Sequence, residues 1–185
     1  LSALSAAMKS PLRPQERLAV QDRWHEATRQ LVSNAWRRGD ARLALAILDG
    51  SRATATNDLA TPLPGLVELL DRIDGVVRDI PSGSVSLSVL AFEHETLLFR
   101  LDRSGIRGTA LDIGRSALRT MTRSIRRRIL SQRAFEPEAT QLYELLIRPL
   151  HPSPPGMLYI STDGSVAGLP WAALLDSRSR RYLIE

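Results

Sequence analysis

Apolar side chains between residues 15 and 57 recur at steps of three and four, which places them on one face of a helix. Gly39-Asp40 interrupts this pattern. Glycine commonly ends a helix, and an aspartate accepts hydrogen bonds from the free N–H groups that begin the next one. The sequence therefore predicts an αα-hairpin of two helices, over residues 15–36 and 41–57. The predicted packing faces carry Val20, Trp24, Ala27, Leu31 and Ala35 on the first helix, and Leu43, Ala44, Ile47, Leu48 and Ser51 on the second.

Two proline-containing segments divide the rest of the chain. Residues 61–65 (TPLPG) separate the hairpin from a third helical pattern over residues 66–80, and residues 81–84 (PSGS) end that helix. After this point the pattern changes to runs of Val, Leu and Phe. We expect three segments: a helical segment over residues 1–60, a connecting helix over 61–80 and a second domain over 81–185.

Strands alternate with helices in the second domain. Residues 85–92 and 97–101 are apolar and are separated by Glu93-His94-Glu95-Thr96, a pattern that predicts a β-hairpin. Helical spacing returns over residues 109–130. Pro137 begins another predicted helix, which runs to about Arg148, because a proline in the first turn lacks only an N–H that would have no partner there. This alternation predicts an α/β sheet covered by helices.

The stretch LYISTDGSVAGLPWAALLD, residues 158–176, contains two apolar runs on either side of Asp163-Gly164. Asp-Gly in this position predicts a strand, a tight turn in which Gly164 has a positive φ, and a second strand. Three apolar residues of the second half are predicted to be buried: Leu169, Trp171 and Leu174. Residues 177–181 (SRSRR) are interpreted as an exposed hairpin connection, and residues 182–185 as the start of a further strand with an unpaired edge.

Composition narrows the class of protein. The chain has 185 residues, 43% hydrophobic and 24% charged, which is enough for one medium domain, or a small domain with an appendage, and argues against global disorder. No apolar run approaches the length that crosses a bilayer, and no secretory signal is evident. The absence of cysteine excludes a disulfide framework, a thiolate zinc site and a cysteine nucleophile within these residues. A cytoplasmic location is the simplest interpretation.

The net charge is +5, and of the 25 basic residues only Lys9 is a lysine. Four arginines recur every four residues beside the apolar face of the helix predicted over 109–130: Arg115, Arg119, Arg123 and Arg127. One interpretation is a patch that binds an acidic partner or a phosphate backbone. The other, which the Arg-rich composition favours, is a solvated helix face. Few aromatic residues accompany the row, so stacking of single-stranded bases is not supported.

The remaining residues predict no catalytic, cofactor or metal site. His25 lacks the second histidine of a zinc-binding helix, His94 lies between two glutamates that need a further ligand, and His151 lies in a proline-rich connector. Gly105 and Gly108 lack the lysine and the spacing of a phosphate-binding loop. No serine lies in a Gly-x-Ser-x-Gly elbow.

Four stretches carry motifs that occur together in a known family. Residues 44–60 (ALAILDGSRATATNDLA) combine Ala-Leu, an acidic residue, Ser-Arg-Ala and a later Asp-Leu. Residues 142–150 (LYELLIRPL) contain Leu-Tyr-x-Leu-Leu-x-x-Pro. Residues 158–176 combine Asp-Gly with Leu-Pro-aromatic-x-x-Leu, and residues 180–185 (RRYLIE) follow. Over roughly residues 41–185 the chain resembles the CHAT domain proteins, and its first motif resembles the last helix of the tetratricopeptide-type array that commonly precedes a CHAT domain.

CHAT domains are caspase-like cysteine peptidases related to separases. The resemblance therefore implies an α/β fold with a tetratricopeptide-like helical hairpin followed by the first part of a caspase-like α/β/α sandwich. It also implies a His–Cys dyad, in which the histidine takes the thiol proton and the thiolate attacks the scissile carbonyl. In the family both residues follow the region matched here, so no catalytic residue is carried over. The implied partners are proteins: the remaining part of the CHAT domain and a ligand of the helical segment.

Three functions follow as hypotheses. The first is the non-catalytic N-terminal portion of a CHAT-type cysteine peptidase, whose dyad lies outside this chain. The second is a degenerate caspase-like scaffold that never had a dyad and acts through protein interactions. The third, which the sequence favours least, is an Arg-rich nucleic-acid-binding module. A histidine and a cysteine in the downstream reading frame would distinguish the first hypothesis from the second.

Overall fold

The computed structural model describes residues 14–56, 64–150 and 156–183. Predictions for residues 1–13, 57–63, 151–155 and 184–185 lie outside this part of the chain. The described residues form five α-helices and a four-stranded mixed sheet, as expected for the α/β class. The chain divides into two compact units, Leu1–Ile80 and Pro81–Glu185.

The described part of the first unit contains three helices: α1 (Pro14–Arg37), α2 (Ala41–Thr56) and α3 (Leu66–Asp79). The turn between α1 and α2 contains Gly39, whose φ of +78° suits glycine. The backbone N–H of Leu43 donates to Oδ1 of Asp40 at 2.8 Å, so Asp40 caps α2. The first helix packs against the second and the second against the third. The predicted helical hairpin is therefore present, with its turn where the sequence places it.

Helix α1 is buried along one side, whereas α2, which packs against both of its neighbours, is buried on several sides, with Ala44, Leu45 and Ala46 buried in succession. Over residues 22–37 of α1 the buried side chains are Trp24, Thr28, Val32 and Ala35, whereas the predicted core residue Leu31 is exposed. The prediction was wrong there because it counted only apolar residues and passed over Thr28, which continues the buried row. The predicted core residue Val20 lies outside the side chains that the structure describes. Gly50 of α2 lies directly against Leu69 of α3, and a Cβ at position 50 would overlap that side chain.

The second unit contains strands β1 (Ser84–Ala91), β2 (Thr96–Asp102), β3 (Gly105–Leu111) and β4 (Met157–Thr162), in the order β3-β2-β1-β4. The first three strands form an antiparallel meander, and β4 pairs with β1 in parallel, with Val85 opposite Leu158 and Val89 opposite Thr162. Helices α4 (Arg115–Leu130) and α5 (Glu136–Leu146) connect β3 to β4.

The core of the second unit lies between one face of the sheet and these two helices. Its fully buried members include Val89, Leu98, Leu118, Ile125, Leu142 and Leu146. Side chains on the opposite face of β1 and β2, such as Leu90, Leu97 and Phe99, are buried as well. The sequence of β2 contains the apolar run Leu97–Phe99, and that of β1 alternates serine with apolar residues before ending in Val-Leu-Ala, so both were recognisable as strands.

The predicted helix over residues 109–130 was wrong at its beginning, because residues 105–111 form β3 and α4 starts at Arg115. The missed signal is the turn before β3. The N–H of Ser104 donates to Oδ1 of Asp102 at 2.8 Å, and Gly105 has a φ of +118°. An aspartate that bonds the backbone two residues later, followed by a glycine with positive φ, makes a tight hairpin turn.

The prediction of a second strand after Asp163-Gly164 was also wrong. Residues 164–168 form consecutive turns, and Gly164 does not have a positive φ. The side chain of Val166 is fully buried in the core, so this segment of turns packs against the unit without pairing as a strand. A short 3₁₀ helix follows at Trp171–Ala173. Leu169 and Leu174 are buried as predicted, whereas Trp171 is only partly buried.

The predicted strand after residue 181 is reduced, within the described residues, to a single bridge between Leu175 and Tyr182. The N–H of Leu183 also donates to the carbonyl of Leu174 at 2.9 Å. Residues 177–181, between the bridged positions, are exposed, so they form the predicted hairpin connection.

Candidate functional site

The parallel strands β1 and β4 have their carboxyl ends side by side at one end of the sheet, where α/β proteins commonly bind ligands. Asp163 lies there, directly after β4. Its Oδ2 accepts a hydrogen bond from the N–H of Ala91 at 2.9 Å, and its Oδ1 accepts one from the N–H of Ser165 at 2.9 Å. Both carboxylate oxygens are thus occupied by the backbone, and Asp163 joins the two strand ends.

The loop between β1 and β2 lies against the start of α4 at the same end of the sheet. The N–H of Arg115 donates to the carbonyl of Phe92 at 2.7 Å. Gly114 is the N-cap of α4, and a Cβ on it would lie 2.7 Å from the carbonyl carbon of Glu93 and 3.0 Å from the Cα of His94. Only glycine allows this contact without a backbone shift.

The predicted arginine row is divided by the structure. Arg115 is partly buried beside this junction, and its Nε is buried without a hydrogen-bond partner among the described residues. Arg119, Arg123 and Arg127 are exposed along α4. Arg115 therefore belongs to the packing at the start of the helix, and the other three form a surface of their own.

A cluster of charges joins the end of α5 to the segment that follows the 3₁₀ helix. Arg148 donates from Nε to Oε2 of Glu144 at 3.0 Å and from Nη2 to Oε1 at 2.8 Å, and it also pairs with Asp176. Ser177 donates to Oε1 of Glu144 at 2.6 Å. The guanidinium carbon of Arg148 lies 5.3 Å from the centre of the Tyr143 ring, within the range of a cation–π contact.

The pKa values of the two carboxylates in this cluster are lowered. The hydrogen bonds from Arg148 and then from Ser177 lower the pKa of Glu144 to about 2 from an ordinary 4.5. For Asp176, burial acts to raise the pKa, but hydrogen bonds from the Arg178 N–H, the Ser179 hydroxyl and Arg148 outweigh it, so the pKa is lowered. Both groups are ionised at neutral pH, and the cluster holds the segment in place.

The histidines do not assemble with other ligands. His25 is exposed on α1, and His94 is exposed in the loop after β1, with its Nε2 3.9 Å from Oε2 of Glu93. His151 lies outside the described residues. Within residues 14–56, 64–150 and 156–183, no group of three His, Asp or Glu side chains could hold a metal ion.

Strand β4 forms one edge of the sheet. Within the described residues no strand pairs with it on the side away from β1. None of its side chains is buried, and Met157 and Tyr159, which share one face, are 54% and 46% exposed. The sequence Met-Leu-Tyr-Ile is typical of an interior parallel strand, so its position at an edge leaves apolar surface in water.

Sequence reasoning missed several polar contacts that shape this unit. The Glu144–Arg148 pair was visible as a favourable i,i+4 spacing near a helix end. Asp176 carried no such signal, because 28 residues separate it from Arg148. Arg100 also pairs with Asp102 inside the unit and donates to the carbonyl of Leu150 at 2.7 Å. Alternate residues of a strand share a face, so the spacing of Arg100 and Asp102 in the sequence could have predicted this pair.

In comparisons with known proteins, no family model, curated protein or solved structure matches the chain. No helix in the described part of the chain is both long and apolar enough to span a membrane. The function is therefore inferred from the motifs of the sequence and from the surfaces of the second unit.

Proposed function

We propose that this chain is the non-catalytic N-terminal portion of a CHAT-type, caspase-like cysteine peptidase, and that its His–Cys dyad is supplied by residues outside this chain. In this proposal the first unit is a tetratricopeptide-like helical segment that receives a protein partner. The second unit is the first part of the caspase-like sandwich. The role of this chain is to position and regulate a dyad carried by the strands that complete the sheet.

The edge strand β4 is the observation that supports an incomplete sheet, and the resemblance of the sequence to CHAT domains supports the dyad. Strand β4 lies parallel to β1 and follows two helices, which is the connection that builds parallel sheets. A further parallel strand can pair with its free side. Natural edge strands are protected by charges, prolines or bulges, and Met157–Thr162 carries none of these. The strand has the sequence of an interior strand, and a caspase-like sheet would continue beyond it.

A dyad at the carboxyl ends of β1 and β4 would need residues from outside this chain. Two polar residues lie at these carboxyl ends. The carboxylate oxygens of Asp163 both accept hydrogen bonds from backbone N–H groups, and His94 is exposed. A nucleophilic thiolate needs a histidine within hydrogen-bond reach. The sequence of 185 residues contains no cysteine, so a dyad at the carboxyl ends of these strands requires residues from the strands that would follow β4.

A degenerate caspase-like scaffold is the second candidate. Its sheet would also be completed at β4, so the open edge favours neither candidate over the other. The two candidates differ in whether a reactive cysteine thiol is present. A scaffold carries no cysteine whose pKa a histidine lowers, whereas a peptidase does.

The proposal can be tested with a thiol-directed electrophile. The native gene product, purified with any associated chain, is treated with a peptidyl acyloxymethyl ketone, and the labelled residue is located by mass spectrometry. We expect labelling of one cysteine outside residues 1–185, with loss of labelling when the neighbouring histidine is replaced by alanine. A complete sheet with no reactive thiol would establish the scaffold instead.

Completion of the sheet at β4 has a test of its own. Tyr159→Lys places a charge on the exposed edge and should weaken retention of the chain or segment that completes the sheet. Val76→Lys, at a similarly exposed apolar position of α3, is the matched control and should have no effect. Equal retention by both variants would show that β4 is not the surface used.

A further inference from the structure

Helix α4 has an unusual charge pattern. Its sixteen residues, RSALRTMTRSIRRRIL, include six arginines and no acidic residue. Like charges four residues apart on a helix repel one another and oppose helix formation. The buried face, which carries Leu118, Thr122 and Ile125, overcomes this repulsion. The charge is therefore retained on the outer surface at a cost to the helix.

The six arginines do not have equivalent surroundings. Arg115 is partly buried, Arg128 pairs with Glu138, and the guanidinium of Arg126 lies against Gly168. The remaining three, Arg119, Arg123 and Arg127, are exposed, and no carboxylate in the described part of the chain pairs with them. Three cations at four-residue spacing thus face water without an acidic neighbour.

Leu130 extends this row. It follows Arg127 by three residues, which places it on the same side of the helix. Its side chain is 81% exposed, the highest value among the large hydrophobic residues that the structure describes as exposed. We call Arg119, Arg123, Arg127 and Leu130 the arginine stripe. It combines a charged run with one apolar end.

The spacing of the stripe matches an extended peptide. Successive arginines are separated by about 6 Å along the helix axis, because each residue rises 1.5 Å. Alternate side chains of an extended strand repeat at about 6.6–6.8 Å and point to the same side. Carboxylates at every second position of a strand would therefore meet consecutive arginines, whose planar guanidinium groups bind carboxylates through two hydrogen bonds.

The exposed leucine distinguishes this partner from a nucleic acid. A phosphate backbone offers no apolar group to cover Leu130. Helix α4 has no aromatic residue on which unpaired bases could stack. A peptide can present carboxylates and an apolar side chain from one strand, and so it satisfies both parts of the stripe.

We propose that the arginine stripe binds an extended acidic segment of a protein partner, with carboxylates at alternate positions and an apolar residue opposite Leu130. This surface shares no residue with β4. The proposal does not depend on the peptidase assignment, since it rests only on α4.

The test uses a fluorescent synthetic peptide of alternating Glu and Ser residues that ends in Leu, with the full chain and fluorescence anisotropy. We expect binding that weakens about tenfold in Arg119→Gln/Arg123→Gln, since each lost guanidinium removes a charge-assisted contact. Leu130→Ser should weaken binding about threefold or more, because an apolar contact is lost. Arg178→Gln, which removes an exposed arginine elsewhere, should leave binding unchanged.

Two further probes complete the experiment. A peptide with Gln in place of every Glu should not bind. A short DNA duplex should bind more weakly than the acidic peptide and should be insensitive to Leu130→Ser. Tighter binding of the duplex, equal weakening by Arg178→Gln, or no binding of the acidic peptide would each overturn the proposal.

Discussion

The carboxylate of Asp163 accepts a hydrogen bond from the backbone N–H of Ala91, with 2.9 Å between Oδ2 and N. Ala91 is fully buried at the end of β1, and Asp163 is the first residue after β4. The side chain thus extends the β1–β4 connection by one step beyond the last paired residue, Thr162. Asp163, at the carboxyl ends of β1 and β4, therefore has a structural role in these contacts.

Replacing Asp163 should therefore destabilise the second unit. Asp163→Ala removes the acceptor from a buried N–H, which costs about 1–3 kcal/mol when the donor is left unsatisfied. Asp163→Asn keeps one oxygen acceptor and should lose less. Urea unfolding of the two variants and the parent chain measures the difference. Equal stability of Asp163→Ala and the parent would show that this bond contributes nothing.

Gly114 provides a second prediction. Gly114→Ala would force its Cβ against the carbonyl group of Glu93, so the β1–β2 loop and the start of α4 must separate. We expect a loss of about 1–3 kcal/mol in the free energy of unfolding, typical of overpacking against a rigid neighbour.

Gly164→Ala is the matched control for that substitution. Nothing lies within 4 Å of a Cβ at Gly164, and its φ is not positive. The change should stay within about 0.5 kcal/mol, as is usual for surface positions. A larger loss from Gly164→Ala than from Gly114→Ala would contradict both assignments.

The Glu144 cluster predicts a dependence of stability on pH. The folded state lowers the pKa of Glu144 to about 2 from 4.5, so between these values the unfolded state binds more protons. The stabilisation is complete above pH 4.5 and is lost as the pH falls toward 2. Because the Glu144 side chain is 37% exposed, solvent screening limits the effect to about 1 kcal/mol or less.

Glu144→Gln tests this dependence. The variant should be less stable than the parent chain near pH 7 and should differ much less from it near pH 2, since most of the charge-dependent stabilisation of the parent has been lost there. Urea midpoints at several pH values measure the gap. A gap that stays constant with pH would mean that the charge of Glu144 is not the source of the stability.

Arg180 has a φ of +58°, which is costly for a residue with a side chain. Arg180→Gly removes this strain and should leave the free energy of unfolding unchanged or slightly raised. Arg178→Gly, in the same exposed loop but without a positive φ, should lose about 0.5–1 kcal/mol from the added freedom of the unfolded chain. Thermal unfolding of the pair gives the comparison, and a more stable Arg178→Gly would contradict it.

Much of the fold follows from local patterns in the sequence. Gly39 and Asp40 end one helix and cap the next, and Pro137 lies in the first turn of α5, as the sequence indicates. These features depend on neighbouring residues alone. The strand β3 was missed because its sequence, GIRGTAL, is weakly apolar and borders a strong helical pattern. Only its pairing with β2, which sequence spacing does not reveal, establishes it as a strand.

The site was less predictable than the fold. The row of arginines was visible as a four-residue spacing, but the burial of Arg115 depends on the loop after β1, which packs against the start of α4. Asp163 was recognised as a turn residue, and its bond to Ala91 was not foreseen because 72 residues separate the two. Contacts between distant segments depend on topology, which one sequence does not specify.

The central claim is that this chain works with a dyad located outside it. The most direct measurement is the intact mass of the native gene product together with that of any chain that co-purifies with it. The account predicts a product longer than residues 1–185, or a second chain, that contributes one histidine and one reactive cysteine to the sheet beside β4. A single stable chain of 20.5 kDa that is active in its cell without any such partner would contradict it.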